Sequence, residues 1–373
     1  MMHFFLFAII LTVFSSYLIL VIYLITGWLK SNSKPQQTPT HNAKFSIIIP
    51  FRDEILSIKS CIQSLCELNY PKDFYELILV NDNSTDNSAH FADEEIKNLP
   101  NAQLLNLTKK KGKKAALELG ISMANNPIII TTDADCNYQT SWLKSINRLY
   151  QETNAKMIIG PVLFSYQNIF DKIQALDFLS LTGTTISTHA CNHKILSNGA
   201  NLIFEKKAFT DINGYSHIDS IPTGDDILLL QKFDSAYPNS IKMLKNLDCI
   251  VRSAPAKNFA EYLNQRIRWA SKISSHQNTF SQILGIIIFL SNSSLLVLLL
   301  LCIVNINLLE FFMIPFVLKC IIDFLFLFLV ARFFGEKRLL WFLVITELFN
   351  MFTVPIITIT SIFKGYSWKG RQY

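Results

Sequence analysis

Residues 45–82 read FSIIIPFRDEILSIKSCIQSLCELNYPKDFYELILVND. Two short β-rich runs, FSIIIP (45–50) and LILVND (77–82), enclose a segment from Ser57 to Leu68 whose Ile58, Ile62 and Leu65 recur at helical spacing. A continuous apolar run bounded by turn residues is the pattern of a strand buried on both faces, and strand, helix, strand is the repeating unit of a parallel sheet. The pattern returns at IIITTD (128–133) and MIIGPV (157–162), which predicts a doubly wound, Rossmann-like α/β domain with a mostly parallel sheet from Phe45 to about residue 278. Ligands of such sheets bind beyond the carboxyl ends of the strands, so the residues that follow each run matter most.

Outward from this domain the composition changes. Half of all residues are apolar and 17% are charged, against about 25% charged in soluble domains. Disorder, collagen and coiled coil are excluded, and a fully water-soluble chain is disfavoured. Phe4 to Leu29 carry no formal charge, which at about 1.5 Å per residue is enough to cross a core of roughly 30 Å. No Lys or Arg precedes this long run, as a cleaved signal peptide would want, so residues 1–30 read as an uncleaved membrane anchor. Lys30, Lys34 and Lys44 follow it. The positive-inside rule then puts the N-terminus outside and the α/β domain in the cytoplasm of an inner or plasma membrane. Residues 31–44 (SNSKPQQTPTHNAK) have the composition of a linker.

After Lys272 no formal charge appears until Glu310, and apolar segments cover about 283–304, 308–334 and 339–363. Arg332, Lys337 and Arg338 belong on the cytoplasmic side. Three full crossings would leave Lys364, Lys369 and Arg371 outside, against the charge rule, so residues 279–365 read as two or three spans. The last of them, with Pro355, has a re-entrant alternative, and 366–373 form a tail. Lys319 and Asp323 share a helix face inside an apolar run, either as a structural pair or as a polar lining for an acceptor path.

The net charge of +6 is modest and lies largely beside apolar stretches, which disfavours nucleic acid as a partner. Cys61, Cys66, Cys136, Cys191, Cys249, Cys302 and Cys320 form no C-x-x-C pair, as fits a reducing compartment. The sequons at Asn83, Asn106 and Asn292 are then without consequence. HACNH (189–193) sets two His four apart, but a zinc site wants further ligands at a recognisable spacing.

The residues suited to chemistry lie after the strands. Asp82 ends LILVND, and Asp133 ends IIITTD with Asp135 two residues on. Carboxylates in that spacing suit Mg²⁺ or Mn²⁺ that shares its shell with a diphosphate. KKKGKK (109–114) is either a solvated basic face or a phosphate contact through Lys113 at the Gly112 turn. In PTGDDILLL (222–230), Asp225 and Asp226 either cap a helix or present a general base to a hydroxyl. QRIRW (265–269) precedes the C-terminal apolar region and suits either an interfacial anchor or a site.

In this order FSIIIPFRDE (45–54), LVNDNSTD (79–86), KKGKKAALELG (110–120), TTDAD (131–135), TGDD (223–226) and QRIRW (265–269) resemble family 2 glycosyltransferases, inverting enzymes of the GT-A fold. The family includes polysaccharide synthases and glycolipid-forming transferases. The resemblance implies that Asp82 contacts the nucleotide base, Lys113 lies near the phosphates, Asp133 sits by the ribose or diphosphate, and Asp135 holds the metal. It makes Asp226 the general base with Asp225 in support, and sets Gln265, Arg268 and Trp269 beside the diphosphate and the acceptor entrance. SNGAN (197–201) resembles the segment lining the acceptor side. Two positions depart from the pattern: Asn81 where a second Asp is common, and Asp53 where Asn is usual. The implied function is a membrane-bound, metal-dependent inverting transferase that moves a sugar from a UDP- or GDP-sugar to a lipid or lipid-linked glycan hydroxyl. A processive polysaccharide synthase is the alternative within the class, and a non-catalytic nucleotide-sugar-binding subunit is the alternative outside it.

Overall fold

The computed structural model describes residues 2–31, 39, 41–108, 111–218, 224–274, 278–363, 367–368 and 371–372. Most of the expected linker, Lys109 and Lys110, Thr223, and the tail residues Lys364, Lys369 and Tyr373 lie outside them. In chain order the elements begin α1 (Met2–Lys30), β1 (Phe45–Phe51), α2 (Ile58–Cys66), β2 (Tyr75–Asn81), α3 (Ser88–Ile96), β3 (Ala102–Asn106), α4 (Lys113–Met123) and β4 (Ile128–Thr131). There follow β5 (Asn137–Tyr138), α5 (Trp142–Thr153), β6 (Met157–Ile159), β7 (Val162–Phe164), α6 (Ile169–Ala190), β8 (Leu202–Glu205), α7 (Lys206–Asp211) and α8 (Asp225–Ala236). The chain closes with β9 (Ile241–Met243), β10 (Val251–Ser253), α9 (Phe259–Ser274), α10 (Thr279–Val304), α11 (Leu309–Phe334), α12 (Leu343–Phe363), β11 (Ser367–Trp368) and β12 (Arg371–Gln372).

These fall into two compact units. The sheet unit takes Asn32–Ser165 and Leu196–Ala254; the helical unit takes Met1–Ser31, Tyr166–Ile195 and Pro255–Tyr373.

Among the described residues the sheet unit holds a seven-stranded sheet of order β3-β2-β1-β4-β8-β6-β9 and a three-stranded sheet of order β5-β10-β7. The large sheet is mostly parallel, as the sequence pattern implies: β1 pairs in parallel with β2 and β4, β2 with β3, and β6 with β9. Only β8 runs antiparallel to its two neighbours. All seven residues of β1 are buried, so selection favours uninterrupted apolar side chains there. Its Pro50 lies two residues beyond the last β4 register pair, Ile48↔Thr131, where that ladder has already stopped. Ile58, Cys61, Ile62 and Leu65 form the buried stripe of α2.

MIIGPV does not form one strand. It breaks at Gly160–Pro161, with β6 in the large sheet and β7 in the small one. A Cβ on Gly160 would lie 2.2 Å from Asn201 Nδ2, and that amide donates to Pro161 O at 2.9 Å. The break is thus filled by a buried asparagine that no other residue at position 160 would admit.

Four apolar segments of the helical unit are long enough to cross a membrane: Ile10–Lys30, Thr279–Val304, Ile306–Phe334 and Lys337–Phe363. They correspond to the expected anchor and C-terminal segments. Small residues let the helices approach; a Cβ on Gly27 of α1 would lie 2.2 Å from Ser187 O of α6, and one on Gly183 of α6 would lie 2.7 Å from Val330 Cγ2 of α11. The Lys319–Asp323 pair is wider than its spacing suggests. Lys319 Nζ sits 2.7 Å from Asp323 Oδ2 and also contacts Glu347 of α12, while Tyr17 of α1 donates its hydroxyl to Asp323 Oδ1 at 2.6 Å. All four residues are buried. The cluster joins the first helix of the chain to the last two apolar ones.

Candidate active site

The carboxyl ends of β1, β2 and β4 meet at one edge of the large sheet, with Phe51↔Asn81 and Ile48↔Thr131 in register. The loops beyond them carry the acidic residues. Asp82, 2% exposed, accepts from the Gly112 amide through Oδ2 at 3.0 Å and from Asn83 Nδ2 through Oδ1 at 3.3 Å. Gly112 has φ +104° and precedes α4, so its backbone freedom lets the amide point back at Asp82. Arg52 ties the loops by donating Nη1 to the carbonyls of Asp82 (2.9 Å) and Asn83 (2.7 Å). Asp53 Oδ1 accepts from the Thr85 amide at 2.6 Å, its hydroxyl at 3.2 Å and the Asp86 amide at 3.4 Å. Partial burial pushes the Asp53 carboxyl up, but these bonds and the Arg52 charge outweigh it and hold it below its ordinary value.

Lys113, the first residue of α4, lies between two acidic motifs. Its Nζ is 2.6 Å from Asp133 Oδ1 and 3.5 Å from Asp225 Oδ2. Burial works against its charge, but the carboxylates of Asp133, Asp225 and Asp226 win and raise its proton affinity above that of an ordinary lysine. Asp225 and Asp226 are the first residues of α8, after Gly224 at φ +79°. Asp226 accepts from the Ile227 amide at 2.8 Å and from the Gly199 amide at 3.4 Å. Gly199 belongs to SNGAN, whose turn is fixed by Thr131 Oγ1 donating to Gly199 O (2.9 Å) and Thr132 Oγ1 to Ala200 O (2.8 Å). A Cβ on Gly199 would lie 3.3 Å from Asp225 Oδ2 and 3.4 Å from Lys113 Nζ, so this position keeps a side chain away from the cluster.

Asp135 Oδ2 accepts from Ser253 Oγ of β10 at 2.9 Å. Burial first, then the nearby Asp133 and Glu54 carboxylates, pushes the Asp135 carboxyl well above the usual range. A donor set of two hard carboxylates suits Mg²⁺ or Mn²⁺, whose remaining positions go to water and substrate phosphate. Among the described residues no three His, Cys, Asp or Glu side chains are gathered to hold a metal by themselves. His193 of HACNH instead stacks on Phe280, with centroids 4.2 Å apart.

Gln265, Arg268 and Trp269 lie half-buried on α9 of the helical unit. Gln265 Oε1 is buried without a hydrogen-bond partner among the described residues. Thus the structure gathers Lys113, Asp133, Asp225 and Asp226, sets Asp82 against the Gly112 amide of the loop that leads to Lys113, and leaves QRIRW on its own helix. Ser253 and Glu54 were not among the expected site residues. Glu54 sits inside the quoted FSIIIPFRDE, whereas Ser253 ends a three-residue strand that leaves no trace in the hydropathy pattern.

Residues 46–211 match the family described as Glycosyl transferase family 2. The chain therefore carries a family 2 glycosyltransferase domain of GT-A fold. It is 24% identical over 224 residues to glycosyltransferase AglE of Haloferax volcanii, covering 60% of this chain and 70% of that protein. It is 26% identical over 233 residues to the poly-beta-1,6-N-acetyl-D-glucosamine synthase of Staphylococcus epidermidis, covering 60% of this chain and about half (53%) of that one. Mannosyltransferase PcManGT of Pyrobaculum calidifontis, solved in complex with GDP-Man and Mn²⁺, shares the fold with a TM-score of 0.60 at 17% identity, over 96% of this chain and 99% of its own.

Proposed function

We propose that this chain is an integral membrane glycosyltransferase that moves a sugar from a nucleotide-sugar donor to a hydroxyl of a lipid or lipid-linked acceptor, with inversion. The observation that carries the reading is the cluster in which Lys113 bridges Asp133 and Asp225 beside Asp226, with Lys113 and Asp133 inside the stretch that matches the family. The domain division follows the sequence reading: an anchor over 1–30, a linker over 31–44, the transferase domain over 45–278 on the cytoplasmic side, a membrane region over 279–365 and a short tail. Within the membrane region, Phe349 of α12 packs on Tyr262 of α9 with centroids 5.3 Å apart. Ile357 joins Tyr262 and Ile267 in one apolar cluster. This packing favours a last segment that follows the interfacial helix over one that simply crosses.

Asp226 removes the proton from the acceptor hydroxyl as its oxygen attacks the anomeric carbon from the face opposite the leaving diphosphate. The helix start holds Asp226 by its bond from the Ile227 amide, and Asp225 keeps Lys113 against the acidic edge. Lys113 exchanges a carboxylate for a donor phosphate and offsets charge on the departing diphosphate. Asp82 orders the Gly112 loop and faces the nucleotide base. Asp135, with Asp133, would hold Mg²⁺ or Mn²⁺, which when bound neutralises diphosphate charge. One displacement with one base requires no covalent intermediate. GDP-Man in PcManGT and the name of the poly-N-acetylglucosamine synthase support GDP- and UDP-sugars as the first donors to try.

The test uses the full chain in lipid nanodiscs with GDP-mannose or UDP-N-acetylglucosamine, Mn²⁺ and a bilayer lipid extract. Lipid-dependent release of nucleoside diphosphate is expected, and Asp226→Asn should lower it by about 10²–10⁴-fold with donor binding retained. Unchanged turnover in that variant refutes Asp226 as base, and donor binding without transfer in the wild type favours the binding-subunit alternative. Similarity to the polymer synthase also supports a processive reading, so product length is read in the same experiment: one added sugar or a ladder.

A further inference from the structure

The helix that carries QRIRW is fastened by residues outside the motif's expected site. Just ahead of α9, Gln174 of α6 makes a matched pair of bonds with the backbone of Ala256: Nε2 donates to the carbonyl and Oε1 accepts from the amide, each at 3.0 Å. Within α9, Arg266 is 7% exposed and places Nη2 2.6 Å from Asp177 Oδ2 of α6. Its guanidinium lies over the Trp269 ring at 4.6 Å and over the Tyr262 ring at 5.3 Å. Spacings of four and three residues put Tyr262, Arg266 and Trp269 on one helix face. Trp269 also packs on Phe178, the neighbour of Asp177, with centroids 5.6 Å apart.

A buried guanidinium is tolerated only with a compensating charge, and Asp177 supplies it. Arg266 Nε and Nη2 make no well-aligned hydrogen bond, so the ion pair and the two ring faces hold the group. Stacking of this kind is attractive, and it depends on a planar cation that lysine cannot reproduce. Turning the Trp269 ring therefore means uncovering Arg266, and moving Arg266 means stranding Asp177.

We propose that Arg266 and Asp177 are a positioning pair that sets the ring orientation of Trp269, and through it the rate of transfer; this rests on the transferase reading above. Neither residue touches substrate.

Two readouts test the pair on the full chain in nanodiscs. In the first, kcat and donor KM are measured with whichever of GDP-mannose or UDP-N-acetylglucosamine the wild type turns over. R266M and D177N are expected to lose kcat about 10–100-fold, because small misplacements of a positioning group cost that much. Donor KM should stay within about threefold, since the carboxylate cluster is untouched; R266K should fall between, and D177E should recover most of the rate. In the second, the five tryptophans are replaced by 5-fluorotryptophan and the line missing in W269F is followed by ¹⁹F NMR. That line should shift or broaden in D177N and R266M while the others hold. Wild-type kcat in both variants, or a rise in donor KM alone, overturns the proposal, as does an unmoved Trp269 line. Where R266M does not fold, R266K and D177E carry the same comparison. A wild type that turns over no donor defeats the transferase reading, and the Trp269 line then decides the positioning of the ring by itself.

Discussion

Replacing Lys113 by Met removes a cation that contacts Asp133 at 2.6 Å and Asp225 at 3.5 Å, with Asp226 next in sequence. The magnitude follows from burial. Deleting one partner of a fully buried pair costs about 3–5 kcal/mol, whereas exposed pairs are worth about 0–1 kcal/mol. The Lys113 and Asp225 side chains are 21% and 10% exposed, but Asp133 is 35% exposed and partly screened. An intermediate loss of about 2–3 kcal/mol is expected, which for a domain of this size lowers Tm by roughly 5–10 °C. The pH dependence has a definite sign. Because the folded state raises the pKa of Lys113, its contribution is complete below the ordinary lysine value of about 10.4 and fades as pH rises through the folded value. The gap between wild type and variant should thus be constant from about pH 6 to 9 and begin to close only in stronger base. Thermal unfolding followed by intrinsic fluorescence in detergent, without added metal, measures it. A drop below about 1 °C, or a gap that widens above pH 10, would refute the claim that the ammonium holds the acidic edge together.

Three further outcomes follow from the same geometry. Ser253→Ala frees Asp135 Oδ2 from its 2.9 Å bond and should weaken Mn²⁺ binding about 10-fold, read by electron paramagnetic resonance; an unchanged affinity removes Ser253 from the site. Because the Asp135 carboxyl is pushed up to about 6, Mn²⁺ must displace a proton as pH falls through that value, so affinity should hold above about pH 7 and decline between about pH 7 and 5; a flat profile contradicts this. Lys319→Met strands Asp323 and Glu347 and should cost about 3–5 kcal/mol, while the triple variant K319M/D323N/E347Q should recover most of the loss; equal stability of the single variant and the wild type would show the charges are not needed.

How much of this was legible in the sequence depends on burial. β1, β2 and β4 are covered on both faces, so their apolar runs are unbroken and their ends fall where the acidic residues begin. β3 is only half-buried and gives no comparable run, and β8 looks like any apolar tetrapeptide until its antiparallel pairing is seen. Gly160 reads as a strand residue although the chain changes sheets there, because the reason is Asn201, forty-one positions away. In the site, Lys113, Asp133 and Asp225 announce themselves by strand end, turn glycine and helix start. That Lys113 bridges carboxylates could not be read, since it requires the α8 start and the β4 end to meet in space. Likewise Lys319 and Asp323 show their spacing, but Glu347 and Tyr17 enter only through tertiary packing.

The cluster around Lys319 also bears on how the chain is made. Tyr17 leaves the ribosome long before its partners: the carboxylate it binds is 306 positions later and the second carboxylate follows at Glu347. The sheet unit is complete at Ala254, before any of these partners exists. Synthesis therefore proceeds with the first helix waiting, while Lys319 and Asp323 enter as a pair that already cancels its own charge one helical turn apart. Only the arrival of α12 closes the cluster, so a chain interrupted between Phe334 and Glu347 would hold a finished sheet unit and a helical unit that cannot yet lock. Quality control acting on the nascent chain would meet this protein at its weakest just before α12 is made.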